Sequence, residues 1–400
     1  MFLESGKDWK LISSINSVKI NNNYTYQWNS EIMDNIFVSL FNRKNNVYSS
    51  IHGFNYKNDF YYFYKFLIDK QNFSMISSGI GYQKSWANLQ IGRGSENWGS
   101  GRDICLALNR TSKPYDYLSL SSNYGAMRVN YIHGVLGKTS TEVNRYINVR
   151  GVEWNNNKNT NIAFSETIIY SGHNRSFDPA YLNPISTHLE IELNGRSNFK
   201  DYDNANAVWQ MHLDFLLENH TRIAFNYLID EFVFDQDIEI GKEHGLAYSA
   251  EISKTIFYKK SNLLSIALSK VFVGTPTFRH GNGQNNFINN YEPLGWQYGS
   301  DGREFAFKVQ YLSKQKYFLH FGLSNVLLGE ETIIHNPYEE YKDYLAGKFP
   351  SGDLSKFYKA NTVIDYMFSP KIQFSFITTL KKTKEAFILD AGFCLTANIK

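Results

Sequence analysis

The stretch Phe387-Ile388-Leu389-Asp390-Ala391-Gly392-Phe393-Cys394-Leu395-Thr396-Ala397-Asn398-Ile399 alternates almost without error. Phe387, Leu389, Ala391, Phe393, Leu395, Ala397 and Ile399 fall on one side of an extended chain. Asp390, Gly392, Cys394, Thr396 and Asn398 fall on the other, with Ile388 as the exception. Successive strand side chains point to opposite faces, so this is a ribbon with one apolar and one mostly polar side. At roughly 3.3 Å per residue it runs about 45 Å, well beyond the usual strand of a soluble domain. Strands of that length with the same two faces, repeated, predict a barrel that crosses an outer membrane.

The alternation does repeat. Trp209, Met211, Leu213 and Phe215 oppose Gln210, His212 and Asp214; Ile223, Phe225, Tyr227 and Ile229 oppose Arg222, Ala224, Asn226 and Asp230. Phe305, Phe307, Val309 and Tyr311 oppose Glu304, Ala306, Lys308 and Gln310. A period of two, rather than 3.6, governs nearly the whole chain. The connections alternate as well. Tight links at 369–371, 313–316, 258–262, 218–220 and 123–125 take turns with long ones at 329–356, 274–301, 233–244, 171–205 and 94–114. In an up-and-down meander, alternate connections share an end, so the long loops gather at one end and most short turns at the other. The link at Lys381–Lys384 is a short one on the long-loop side. A propeller would repeat every 40 to 50 residues or so, and no such period is present.

The expected fold is therefore all-β: a large antiparallel up-and-down transmembrane barrel of about eighteen strands, with long extracellular loops. Residues 36–400 form the barrel, and residues 1–35 an N-terminal segment holding first strands or the remnant of a periplasmic region. The run Asn183-Pro184-Ile185 to Asn194 breaks the pattern. Pro184 at a first helical turn, followed by Ile185, His188, Leu189 and Leu193, gives helical spacing. It is placed in the long loop, folded into the barrel mouth.

Composition narrows the function classes. Net charge is +3 and the basic residues are dispersed, which disfavours nucleic acid as a partner. Cys105 and Cys394 match no metal or redox spacing, and no cofactor or metal is expected. No apolar run reaches the eighteen or so residues of a membrane helix, but a barrel strand hides its apolar residues at every second position. Mean hydropathy accordingly stays at −0.40. The first residues, Met1-Phe2-Leu3-Glu4-Ser5-Gly6, carry no basic segment followed by an apolar one. Trp9, Trp28, Trp86, Trp154 and Trp209 read as interfacial girdle or packing residues.

Two loops concentrate chemistry. In the 93–114 segment, Arg93, Glu96, Trp98, Arg102 and Asp103 sit among glycines and supply stacking and hydrogen-bonding groups. One reading is a sugar platform; a compatible one is a loop folded into the lumen and locked by arginine–acid pairs. The 274–301 loop offers Arg279 and His280, a run of Asn and Gln, then Tyr291, Trp296 and Tyr298. Amides with aromatics suit carbohydrate, whose hydroxyls need polar partners and whose C–H faces need π surface. A solvated surface loop fits the same composition. No nucleophile elbow, zinc-protease motif or spaced Cys/His cluster is present, so no catalytic residue is assigned and an enzyme is not expected. Glu166 with Asp178 is the acid pair that a glycosidase reading would use.

Several segments, in order, resemble the capsule assembly Wzi family of outer-membrane proteins. They are Ile91-Gly92-Arg93, Trp98-Gly99-Ser100-Gly101, Arg145-Tyr146-Ile147, Ala163-Phe164-Ser165-Glu166 and Ile169-Tyr170-Ser171-Gly172. Tyr181-Leu182-Asn183-Pro184, Asp203-Asn204-Ala205, Leu228-Ile229-Asp230-Glu231-Phe232 and Gly302-Arg303-Glu304-Phe305 follow. The resemblance implies an eighteen-stranded outer-membrane barrel, closed internally, whose outer face acts as a lectin for surface polysaccharide. It also implies a signal peptide and N-terminal helical material, neither of which is visible in this sequence. The expected partners are capsular or other surface polysaccharide and outer-membrane lipid, with the barrel a monomer. The alternative is an outer-membrane channel or porin for sugars or other small solutes.

Overall fold

The computed structural model describes residues 34–398, apart from 44–45, 69–72, 102–103, 138–142, 199–204, 232–240, 260–261, 281–282, 314–315 and 335–346. Its strands begin with β1 (Asp34–Arg43), β2 (Asn46–Lys57), β3 (Phe60–Ile68), β4 (Phe73–Gln83), β5 (Ala87–Gly94) and β6 (Tyr115–Tyr124). They continue with β7 (Met127–Leu136), β8 (Asn144–Asn155), β9 (Thr160–Gly172), β10 (Ala205–Leu217), β11 (Thr221–Glu231), β12 (Gly245–Lys259) and β13 (Asn262–Val273). A two-stranded hairpin, β14 (Ile288–Asn289) and β15 (Glu292–Pro293), precedes β16 (Gly302–Ser313) and β17 (Tyr317–Leu328). The last three are β18 (Ser355–Ser369), β19 (Ile372–Lys382) and β20 (Phe387–Asn398).

All but the small hairpin join one eighteen-stranded sheet. Each barrel strand pairs antiparallel with the next, and β20 returns to β1 with Phe37 opposite Asn398 and Arg43 opposite Gly392. Closure removes every free edge, which is what a strand needs before it can face hydrocarbon. The expectation for residues 1–35 falls on 1–33, outside the described residues, and on the first two residues of β1.

The faces sort as the alternation requires. On β20, Phe393 is 66% exposed while Asp390 is 9% exposed. Phe164, Met211, Ile252, Phe305 and Leu323 likewise lie outward and exposed, whereas Gln210, His212, Asp214, Asn226 and Glu251 are buried inside. The inward polar groups pair with each other: Glu153 accepts from Asn161 at 2.5 Å, and Asp214 from Arg222 Nε at 2.7 Å. Among the described residues no second sheet covers the oily side. It is a lipid-facing belt.

The ends differ as well. Turns of two to four residues join β2–β3, β4–β5, β6–β7 and β8–β9 at one end, while 95–114, 173–204, 274–301 and 329–354 lie at the other. Trp86, Tyr124, Trp154 and Tyr317 are exposed at the short-turn end, where an aromatic ring suits the membrane–water boundary. Trp9 and Trp28 lie outside the described residues, and neither Cys105 nor Cys394 is in a disulfide.

One placement differs from expectation. The 173–198 segment is helical, with a 3-10 turn at Pro179–Leu182 and helix α1 at His188–Leu193. It does not enter the mouth. Tyr181 and Ile191 pack on Ile168 and Tyr170, which point outward, while their odd-numbered neighbour Ile169 joins the lumenal core. Helical spacing says nothing about which side of a sheet a loop will choose.

Candidate functional site: a loop plug in the barrel mouth

The lumen is filled at the long-loop end. Trp98, Ile104, Leu106 and Leu108 from one loop meet Phe278, Phe287, Leu294 and Trp296 from another, and Ile333 from a third. They pack on inward wall residues such as Tyr117, Ile147, Val149 and Val208, one continuous core inside the barrel. The first two loops are stitched by backbone bonds. Trp296 N–H donates to Leu106 O at 3.1 Å, and Asn109 N–H to Leu294 O at 2.7 Å. Gly295 permits that approach, since a Cβ there would stand 1.7 Å from Leu106 O.

The wall clamps the loops with side chains. Arg145, fully buried on β8, donates to the carbonyls of Gln284 (2.7 Å), Asn286 (2.6 Å) and Ile288 (3.0 Å). Asn226 and Ser100 exchange two bonds: Ser100 N–H to Asn226 Oδ1 at 2.8 Å, and Asn226 Nδ2 to Ser100 O at 2.7 Å. Asp301 ties the 274–301 loop to the 329–354 loop by accepting from Thr275 Oγ1 (2.9 Å), Ser351 N (3.0 Å) and Glu331 N (3.1 Å). Satisfied buried networks of this kind hold a loop in one place.

The residues singled out in the sequence are dispersed over this architecture. Trp98 is buried in the plug, its ring against the backbone of Gly151, where a Cβ would come within 2.3 Å. Trp296 is also buried, and its indole N–H donates to Glu304 at 3.2 Å. Tyr298 lies edge-on to Trp296 with ring centroids 5.2 Å apart, and burial together with the Glu304 charge pushes its phenol pKa up. Glu96 turns into the lumen and accepts from Tyr117 at 2.7 Å, the end of a chain through Gln90 and Tyr61. Arg279 is buried with one nitrogen 3.4 Å from Glu331, and His280 N–H donates to Asn286 at 2.9 Å. Arg93 stands apart from these. Gln90 faces the lumen, so Arg93 faces outward, paired with Asp116 at 3.0 Å on the outer wall. Arg102 and Asp103 lie outside the described residues.

Glu166 and Asp178 do not form a glycosidase pair with free carboxylates. Glu166 is held by Arg150 at 3.0 Å and Asp178 by Arg175 at 3.2 Å. A cavity of about 70 Å³ lies beneath Trp98, lined by Asn88, Gln90, Arg128, Glu153 and His212. It has room for a few waters and not for a sugar ring.

The plug's outer surface carries a residue that the sequence reading passed over in its choice of site. Tyr291 is 69% exposed at the tip of the β14–β15 hairpin. Asn290 and Tyr291 take φ of 47° and 64°, the left-handed pair of a tight two-residue hairpin turn. Beside it, Lys113 bridges to Glu292 at 3.1 Å, joining the tip to the neighbouring loop. The hairpin was hidden because its turn lacks the usual Asn-Gly or Asp-Gly pair.

A closed eighteen-stranded antiparallel barrel, oily outside and stopped at one end by its own loops, is a barrel of the outer-membrane type. The chain has the fold of Wzi of Escherichia coli, described as an outer membrane protein involved in group 1 capsule assembly and a carbohydrate-binding β-barrel. The TM-score is 0.71 at 10% identity over 96% of this chain and 89% of that one. It is also similar to OccD1 (OprD), with a TM-score of 0.51, 11% identity and coverage of 92% and 94%. For OprD of Pseudomonas aeruginosa the TM-score is 0.50, with 10% identity and the same coverage of 92% and 94%. No protein-family model and no curated protein sequence matches the chain.

Proposed function

We propose that this outer-membrane barrel binds surface polysaccharide, capsular or otherwise, on the outer surface of its loop plug. The observation that carries the reading is an exposed aromatic ring, Tyr291, mounted on a hairpin stitched into a filled lumen. A sugar's C–H face stacks on such a ring, and the neighbouring Lys113 and Glu292 supply a donor and an acceptor for hydroxyls. Trp98 and Trp296 lie in the buried core of the same plug, with Tyr298 packed against it. The fold shared with a carbohydrate-binding barrel agrees with this reading.

The test uses purified protein on immobilised bacterial surface polysaccharides. Tyr291→Ala is expected to weaken binding about tenfold, the equivalent of about 1.4 kcal/mol of lost stacking. Unchanged binding in that variant would remove the proposed surface. In planar bilayers the native protein is expected to conduct little; steady open-pore current would favour a solute channel instead.

A further inference from the structure

A charged pair faces outward in the middle of the wall. Across six adjacent strands the register aligns Leu120, Tyr131, Arg150, Glu166, Trp209 and Ile229 in one row. All six are on the outer face, and the row's flanks, Leu120 and Ile229, are apolar as the lipid belt demands. Arg150 and Glu166 sit between them, 3.0 Å apart and buried. The next row toward the long-loop end places His133 and Asn148 on the same face, also buried. An arginine bare to lipid near mid-membrane costs a barrel roughly 2–4 kcal/mol, so something must cover it.

The cover is the 173–198 segment. Its backbone meets the outward polar groups one by one. Tyr181 O accepts from Tyr131 Oη at 2.9 Å and Asn148 Nδ2 at 3.0 Å, and Asn183 O from Arg150 Nη1 at 2.9 Å. His188 N–H and the Trp209 indole both donate to Glu166, each at 3.0 Å. Stacked rings fasten it down: Phe177 on His133 at 4.2 Å, and Tyr181 on Tyr170 at 4.4 Å. Arg175 lies 4.6 Å over the Tyr170 ring and pairs with Asp178.

Part of what the segment turns away from the wall is apolar, beside an exposed Glu192 and a half-exposed Arg196–Glu190 pair. Ile185 is 85% and Leu193 76% exposed, and Leu182 and Leu189 are exposed with them. Leu189 and Leu193 are one turn apart on α1, hence on one stripe. Toward the short-turn end, the bare wall resumes with Phe164 and Met211, both exposed members of the belt. The stripe therefore continues the lipid-facing surface where the strands beneath it are polar.

We propose that residues 173–198 form an external flap seated in lipid: outer-leaflet acyl chains pack on Leu182, Ile185, Leu189 and Leu193, while the flap seals Arg150–Glu166 from hydrocarbon. The occupant follows from continuity with the belt on the same wall. The inference rests on the barrel's orientation and is independent of what the plug binds.

The experiment places a nitroxide at Leu189→Cys, Leu193→Cys or Ile185→Cys in a Cys105→Ala/Cys394→Ala background. The full chain is reconstituted in phosphatidylcholine vesicles without other proteins, and heat-modifiability on a gel selects folded variants. Relaxation by oxygen and by a water-soluble nickel chelate is compared with Phe393→Cys on the belt and Thr111→Cys on the plug surface. The flap labels are expected to be oxygen-accessible and nickel-protected, as at Phe393→Cys. Nickel accessibility like that of Thr111→Cys would overturn the proposal. Protection from both reagents, with spin–spin broadening between labels, would overturn it in favour of a second copy.

Discussion

Arg145→Met is expected to free the 274–301 loop from the barrel wall and open the lumen. The native guanidinium satisfies three loop carbonyls at 2.6–3.0 Å, all of them inside the plug. Methionine fills similar volume but donates nothing, and each orphaned buried carbonyl costs about 1–3 kcal/mol. The loop's hold should therefore fall by roughly 3 kcal/mol or more, while the closed strand ladder keeps the barrel folded. Two measurements read this: bilayer conductance rising well above the native level, and new tryptic cleavage near Arg279. Arg145→Lys keeps the charge yet cannot reach three carbonyls in one plane, so its effect should lie between the two. Native conductance in Arg145→Met would mean that the plug does not depend on this clamp.

Gly295→Val is the second large effect. Its Cβ would overlap a backbone oxygen, Leu106 O, at 1.7 Å, so no side-chain rotation relieves the clash. The bonds on either side, Trp296 to Leu106 and Asn109 to Leu294, must then break. Overpacking of this kind costs about 1–3 kcal/mol in a yielding core and more where backbone is struck. The two loops should separate, exposing Trp98 and Trp296. A red-shifted tryptophan emission with greater acrylamide quenching would record it, and under the proposed function polysaccharide binding should weaken as well. Unchanged emission and quenching would show that the loops accommodate the side chain without parting.

Much of the fold was legible because its governing force acts residue by residue. The alternation of Phe387, Leu389 and Phe393 with Asp390, Cys394 and Thr396 states which face is oily. The sequence order of tight and long links states which end carries the loops. The site was far less legible. Trp98 and Trp296 have the composition of a sugar platform, but composition cannot tell a ring exposed on a loop from one buried in a plug. Tyr291 owes its exposure to a hairpin whose turn residues are unusual. The flap left a trace that was readable in principle: His133, Asn148, Arg150 and Glu166 occupy outward positions where other strands carry apolar side chains. Each breaks the pattern locally, and only the register brings them together on one patch.

From the chain alone came the barrel, its approximate strand number and the polarity of its ends, since period and spacing are properties of neighbours in sequence. Tertiary structure decided which loops enter the lumen, which aromatic ring reaches water, and that one helical connection lies on the outer wall. Those outcomes depend on contacts between residues dozens of positions apart, such as Arg145 with Asn286 or Tyr131 with Tyr181. Packing and buried hydrogen bonds choose among loop placements that local patterning leaves equal.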